Sequence, residues 1–313
     1  MPEAIVVGGA FIMPPLPTKE DKEKMAALEK ARAERVDRLL KRICETTPLG
    51  KQIVESAETR GIAIGIDGDK GNAWGSYSPS MKYVSLNEKA TDAQLLSTIV
   101  HELRHSEQKP EHDFNNTVFA SIAEVRAMEA DAMAHECAAV FQMRHAEPVT
   151  YELFVNRHGG IMKAFEESFK KDKDMTKAKA EAFKAWYDHA EYVELYDRSV
   201  VEFSAMGKMT SGAYKDDMPS SKLAEKVDYV EQSFFDSPRA ATVSEETARE
   251  TEKVERGHVR NMLKFFGKSK IPTSADHFWV RDGKGNVSEP KRPRAAQNAV
   301  RPRLVEAKLG KGR

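Results

Sequence analysis

Between Thr91 and Pro110 the apolar residues Leu95, Leu96, Ile99, Val100 and Leu103 recur at helical spacing. At about 100° per residue they share one arc of a helical wheel. Thr91 followed by Gln94 reads as a capping box, and Pro110 ends the segment. The same pattern predicts an amphipathic helix over 19–46, with Met25, Leu28, Val36, Leu39, Leu40 and Ile43 near one stripe that Arg32 interrupts. The β signals are short runs at 62–66, 74–78 and 82–87, separated by turn residues at 67–72 and 79–80. They predict an antiparallel meander running straight into the helix that ends at Pro110. A second long helix is expected from about 115 to 143. Shorter ones follow at 151–157, closed by Gly159-Gly160, and at 161–171. A helix over 176–206 places Phe183, Trp186, Ala190, Val193 and Val200 on one side, where aromatics at that spacing most often form core. A loop over 207–221 and helices at 222–235 and 244–266 complete the pattern. The predicted fold is α+β: a mainly helical domain with a small antiparallel sheet beside the helix that ends at Pro110.

That helix carries His101-Glu102-Leu103-Arg104-His105, an HExxH motif. Residues four apart on a helix sit one turn above each other, so His101 and His105 can offer imidazole nitrogens to one metal ion. Glu102 lies about 100° around from His101, where it can reach a water in the metal's open position and act as general base. The apolar arc lies on a different face. The bland alternative is a pair of solvated histidines on a charged surface helix.

A catalytic zinc site usually takes three protein ligands. On the 115–143 helix the acidic candidates are Glu124, Glu129, Asp131 and Glu136. Glu129 falls at the centre of a stripe formed by Val118, Ile122, Val125, Met133 and Val140. A carboxylate there is costly to bury unless it is paired or holds a metal. Glu129 is therefore the expected third ligand, with Glu136, two turns on along the same stripe, as the runner-up. Pairing of Glu129 with a buried Arg or Lys is the competing reading. Glu124, Asp131 and His135 cluster on the opposite side and are expected to be solvated. Tyr187, His189, Tyr192 and Tyr196 form the pool for a donor to a transition-state oxyanion.

The HELRH sequence at 101–105, followed by Glu129-Ala130-Asp131-Ala132, resembles the zincin metallopeptidases whose third ligand is Glu. More narrowly, it is similar to a poorly characterised bacterial and phage family of metallopeptidases with an HELRH helix and a downstream EAD helix. The similarity spans roughly residues 50–205. It implies a zinc site at His101, His105 and Glu129, with Glu102 as base. In related patterns an acidic partner stands behind the ligands; Asp131 is the nominee, although its ideal-helix direction points away from Glu129.

Composition narrows the partners. The chain has 49 basic and 49 acidic residues, so its overall charge makes no case for nucleic acid. Only Cys44 and Cys137 are present, which gives no disulfide framework and fits a reducing cytoplasm. The apolar run at 5–13 is short and follows Glu3, so it does not read as a signal peptide, and no run approaches a membrane span. Residues 1–18, ending in Met13-Pro14-Pro15-Leu16-Pro17, are expected to form an irregular arm. The domain is expected over 19–266. Residues 267–313 read as a basic tail without regular structure, solubilising or weakly attached to nucleic acid or another polyanion.

Two functions compete. One is a zinc-dependent peptidase acting on a peptide or protein substrate. The other is a binding or scaffold protein, phage- or DNA-associated, that uses the same residues for a structural metal or none. Glu102 favours chemistry, because a structural site has no need of a carboxylate there. Arg104 is expected to pair with an acidic neighbour.

Overall fold

The computed structural model describes residues 6–7, 10–11, 18–109, 117–207, 220–266 and 279–289. The chain divides into two compact units, one of residues 1–107 and 135–159, the other of residues 108–134 and 160–313.

In the first unit, β1 (Val6–Val7) pairs antiparallel with β2 (Ala10–Phe11). The arm expected to be irregular over 1–18 therefore contains a short pair of antiparallel strands; residues 1–5, 8–9 and 12–17 lie outside the described residues. Helix α1 (Lys19–Thr46) opens on a capping box in which Asp21 N donates to Thr18 Oγ1 and Thr18 N donates to Asp21 Oδ2. Only its second half is buried, through Val36, Leu39 and Ile43, while Met25 and Leu28 of the expected stripe stay exposed. Thr47 then caps a helix the periodicity did not separate, α2 (Pro48–Thr59), by accepting from Gly50 N. Ile53, Val54 and Ala57 of α2 join the core.

The sheet corrects an expectation. β3 (Ala63–Asp67), β4 (Gly75–Ser78) and β5 (Tyr83–Asn87) lie in the order β3-β5-β4, with β5 parallel to β3 and antiparallel to β4. The sheet is mixed, not a meander. The reason lies in β5, whose Val84, Ser85, Leu86 and Asn87 are all buried, as befits a central strand. Tyr83 and Ser85 donate to Asp67 of β3, and Asn87 Nδ2 donates to Gly71 O and Ala73 O, so β5 ties down both its neighbour and the 68–74 loop that passes over it. Helix α3 (Asp92–Glu107) follows as expected. Its capping box closes with Thr91 N donating to Gln94 Oε1 and Gln94 N to Thr91 Oγ1. Leu95, Leu96, Ile99, Val100 and Leu103 all enter the core.

Helix α4 (Val118–Met143) contributes residues to both units. The solvated face expected on it is absent: Glu124, Asp131 and His135 are all buried. A helix buried all round must partner its charges. Glu124 receives Lys226 Nζ at 2.9 Å. Arg126 forks onto Asp197 and also donates to Ala240 O and Thr242 O.

Helix α5 (Pro148–Asp172) is kinked at His158, whose φ of −128° and ψ of 33° leave the helical region next to Gly159-Gly160. The single helix expected over 176–206 is two, α6 (Met175–Trp186) and α7 (Ala190–Gly207). Tight backbone bonds at Tyr187, Asp188 and His189 make the break, and Asp188 is held by Arg239. Next come α8 (Ser220–Lys226), α9 (Gln232–Phe235), α10 (Pro238–Ala241), β6 (Thr242–Ser244) and α11 (Glu245–Phe266). The segment expected to lack structure from 267 onward instead supplies β7 (Trp279–Arg281) and β8 (Val287–Ser288), which extend β6 into a second mixed sheet. Asp282 closes their turn by accepting from Lys284 N and Asn286 N. The basic stretch at 291–313 lies outside the described residues. Among the described residues, no helix is long and apolar enough to cross a membrane. The fold class holds: α+β, mainly helical, with small sheets.

Candidate metal centre

Helix α3 turns one stripe, Ser97, His101 and His105, away from its core arc, each residue one turn above the last. The two imidazoles approach edge to face, with Nε2 of His101 3.1 Å from Nε2 of His105. On its other side, His101 Nδ1 lies 3.0 Å from Glu136 Oε2. A carboxylate at Nδ1 holds the ring proton there and leaves the Nε2 lone pair facing His105.

Glu136 is almost fully buried. Burial pushes its pKa up, but hydrogen bonds from His101 and Ser97 and the electrostatic pull of the His101 and His158 rings outweigh that, and the carboxyl sits below its ordinary value. It thereby bridges a full turn of α3. Its position corrects two expectations at once. Glu136, the runner-up ligand, occupies the back of a histidine, and the carboxylate standing behind His101 is Glu136 where Asp131 was the nominee. Asp131 is buried and accepts from Gln108 Nε2 and Tyr229 OH, both at 2.7 Å.

Glu129 lies seven residues before Glu136 on the same helix, so the two carboxylates share a face about two turns apart. Ligand atoms of His101, His105 and Glu129 all lie within 4.8 Å of one another. Two imidazole nitrogens and a carboxylate oxygen form the donor set of a catalytic zinc site. Two nitrogens bound tetrahedrally at ordinary zinc distances stand about 3.3 Å apart, close to the separation of the histidines. The residues fit such an ion.

Glu102 is buried at 8% exposure and faces β4. A Cβ added at Gly75 would stand 2.7 Å from Thr98 Cγ2 and 3.1 Å from Glu102 Cγ, so only glycine lets the edge strand come this close to α3. The glycine inside a strand run was the available signal for that approach. At the C-terminal end of α3, Arg104 donates to Glu107, the acidic neighbour it was expected to find. Arg60 adds donation to Ser106 O and Oγ, which favourably meets the carbonyl end of the helix.

The expected pool of oxyanion donors is largely committed to packing in the second unit. Tyr187 is buried against Phe183, Trp186 and Phe234, and burial raises its hydroxyl pKa. Tyr196 lies against Trp186, and His189 against Tyr192. Phe183 and Trp186 are core, as their spacing predicted.

The model of the family described as "Putative metallopeptidase family (DUF6782)" matches residues 18–226, more than half of the chain. Neither a curated protein nor a solved structure matches it.

Proposed function

The chain belongs to the metallopeptidase family whose model covers residues 18–226, and on that premise we propose that it is a zinc-dependent peptidase. His101, His105 and Glu129 would hold the ion, and Glu102 would carry the proton. The observation that supports this most is the convergence of ligand atoms of His101, His105 and Glu129 within 4.8 Å, with Glu102, a buried carboxylate that is not part of the donor set, next to His101 on α3.

Zinc held by these residues would supply Lewis acidity to a peptide carbonyl and to an attacking water. Glu102 would take the proton from that water and deliver it to the leaving amine. Glu136 keeps His101 in the tautomer that presents Nε2. The substrate would bind extended along β4, the edge strand, whose backbone can pair with a peptide as one more strand. Gly75 would bring that peptide to Glu102 without a side chain in between.

Chelation tests the reading. Dialysis against a strong chelator should abolish peptide cleavage, and one equivalent of zinc should restore it. Cleavage that persists in metal-free protein would reject a metal-dependent mechanism.

A further inference from the structure

His105 stands two residues from the end of α3. The last four carbonyls of a helix lack intrahelical donors, so a terminal turn opens more readily than the turns before it. Opening would carry His105 away from His101, because the two face one point only while the residues between them stay helical. His101 lies one turn deeper and has Glu136 behind it.

The turn that carries His105 is gripped from outside the helix. Arg60 Nη1 donates to Ser106 O, one of those terminal carbonyls, and to Ser106 Oγ at 3.0 Å. Arg60 Nη2 lies 3.7 Å from Glu107 Oε1, while Glu107 Oε2 accepts from Arg104 at 2.7 Å. The grip is aimed by backbone bonds at the end of α2. Arg60 N donates to Ser56 O and Ala57 O, Gly61 N to Glu58 O, and Ile62 N to Ala57 O. Gly61 takes a φ of +69°, a left-handed conformation that glycine adopts without strain. Arg60 Nε also donates to Ser56 O, which fixes the direction of the guanidinium. A side-chain substitution at Arg60 leaves the backbone turn in place.

We propose that Arg60 is a positioning residue for the metal centre: it holds the last turn of α3 closed and so keeps His105 in the donor set. The inference rests on the zinc site proposed above. A guanidinium at the carbonyl end of a helix acts through its hydrogen bonds and through the helix dipole. If only a fraction of chains has the turn closed, the apparent zinc affinity falls by that fraction.

The test uses the full chain, stripped of metal and titrated with zinc against a competing chelator. Hydrogen exchange is followed in the metal-free and zinc-loaded forms. Arg60→Gln, shorter and uncharged, should weaken zinc binding on the order of tenfold or more. In that variant without metal, amides 104–107 should exchange faster than in metal-free wild type, while those of α2 and of 95–100 stay protected. Zinc, which binds the closed turn, should restore the protection. Arg60→Lys keeps the charge and a donor and should fall between the two. Unchanged zinc affinity in Arg60→Gln overturns this inference and leaves the zinc site standing. Faster exchange throughout α2 and α3 also overturns it, since Arg60 then serves general stability alone. A wild type that takes up no zinc overturns the zinc site as well.

Discussion

Glu102→Gln should lower peptide turnover by at least about 10²-fold, the low end of what general acid–base catalysis contributes, with zinc content and fold unchanged. The substitution keeps the shape of the side chain and a hydrogen-bonding group, so the close packing against Gly75 and Thr98 is preserved. What it removes is a group that accepts the water's proton at neutral pH. Glu102 is outside the proposed donor set, so metal binding should not change. Steady-state kinetics on a cleavable peptide, with zinc measured on the same sample, provide the check. Near-wild-type turnover in that variant would remove Glu102 from the mechanism.

His101→Ala should abolish stoichiometric zinc binding and leave a folded chain. His101 stands at the centre of the cluster, with Nε2 toward His105 and Nδ1 on Glu136. The residues that pack α3 into the core, Leu95, Leu96, Ile99, Val100 and Leu103, lie on a different arc. Helical circular dichroism should therefore stay near wild type while zinc falls well below one per chain. Glu136→Gln makes the graded comparison. Its carboxylate only supports His101, and loss of such an outer partner typically costs about 10- to 100-fold in metal affinity. Full zinc retention by His101→Ala would show that the metal, if any, is held elsewhere.

The parts of the molecule set by local rules could be read from the sequence. The capping box at Thr91 and Gln94, the five core residues of α3 and the separate stripe of His101 and His105 follow from helical spacing alone, and the structure has them as expected. The stripe on α4 likewise singled out Glu129, which the structure brings near both histidines. Where the reading failed, the deciding contacts were between elements. The burial of Glu124 and Asp131 depends on Lys226, Gln108 and Tyr229, all distant in sequence, and no wheel drawn for α4 alone contains them. The insertion of β5 between β3 and β4 depends on side-chain bonds from Tyr83, Ser85 and Asn87 that strand propensity does not register. The strands at 279–281 and 287–288 were hidden because a basic composition was read over an Asp-Gly-Lys-Gly-Asn turn. Glu136 had the right helical face for a ligand. Its role at the back of His101 became visible only when α3 and α4 were seen together.

The metal content of the purified chain, measured together with a broad peptide-cleavage screen, tests the proposed centre most directly. One zinc per chain, accompanied by cleavage of at least one peptide, is the expected result. A chain that takes up no stoichiometric zinc, or one that holds zinc and cleaves nothing, would contradict a catalytic site at His101, Glu102, His105 and Glu129.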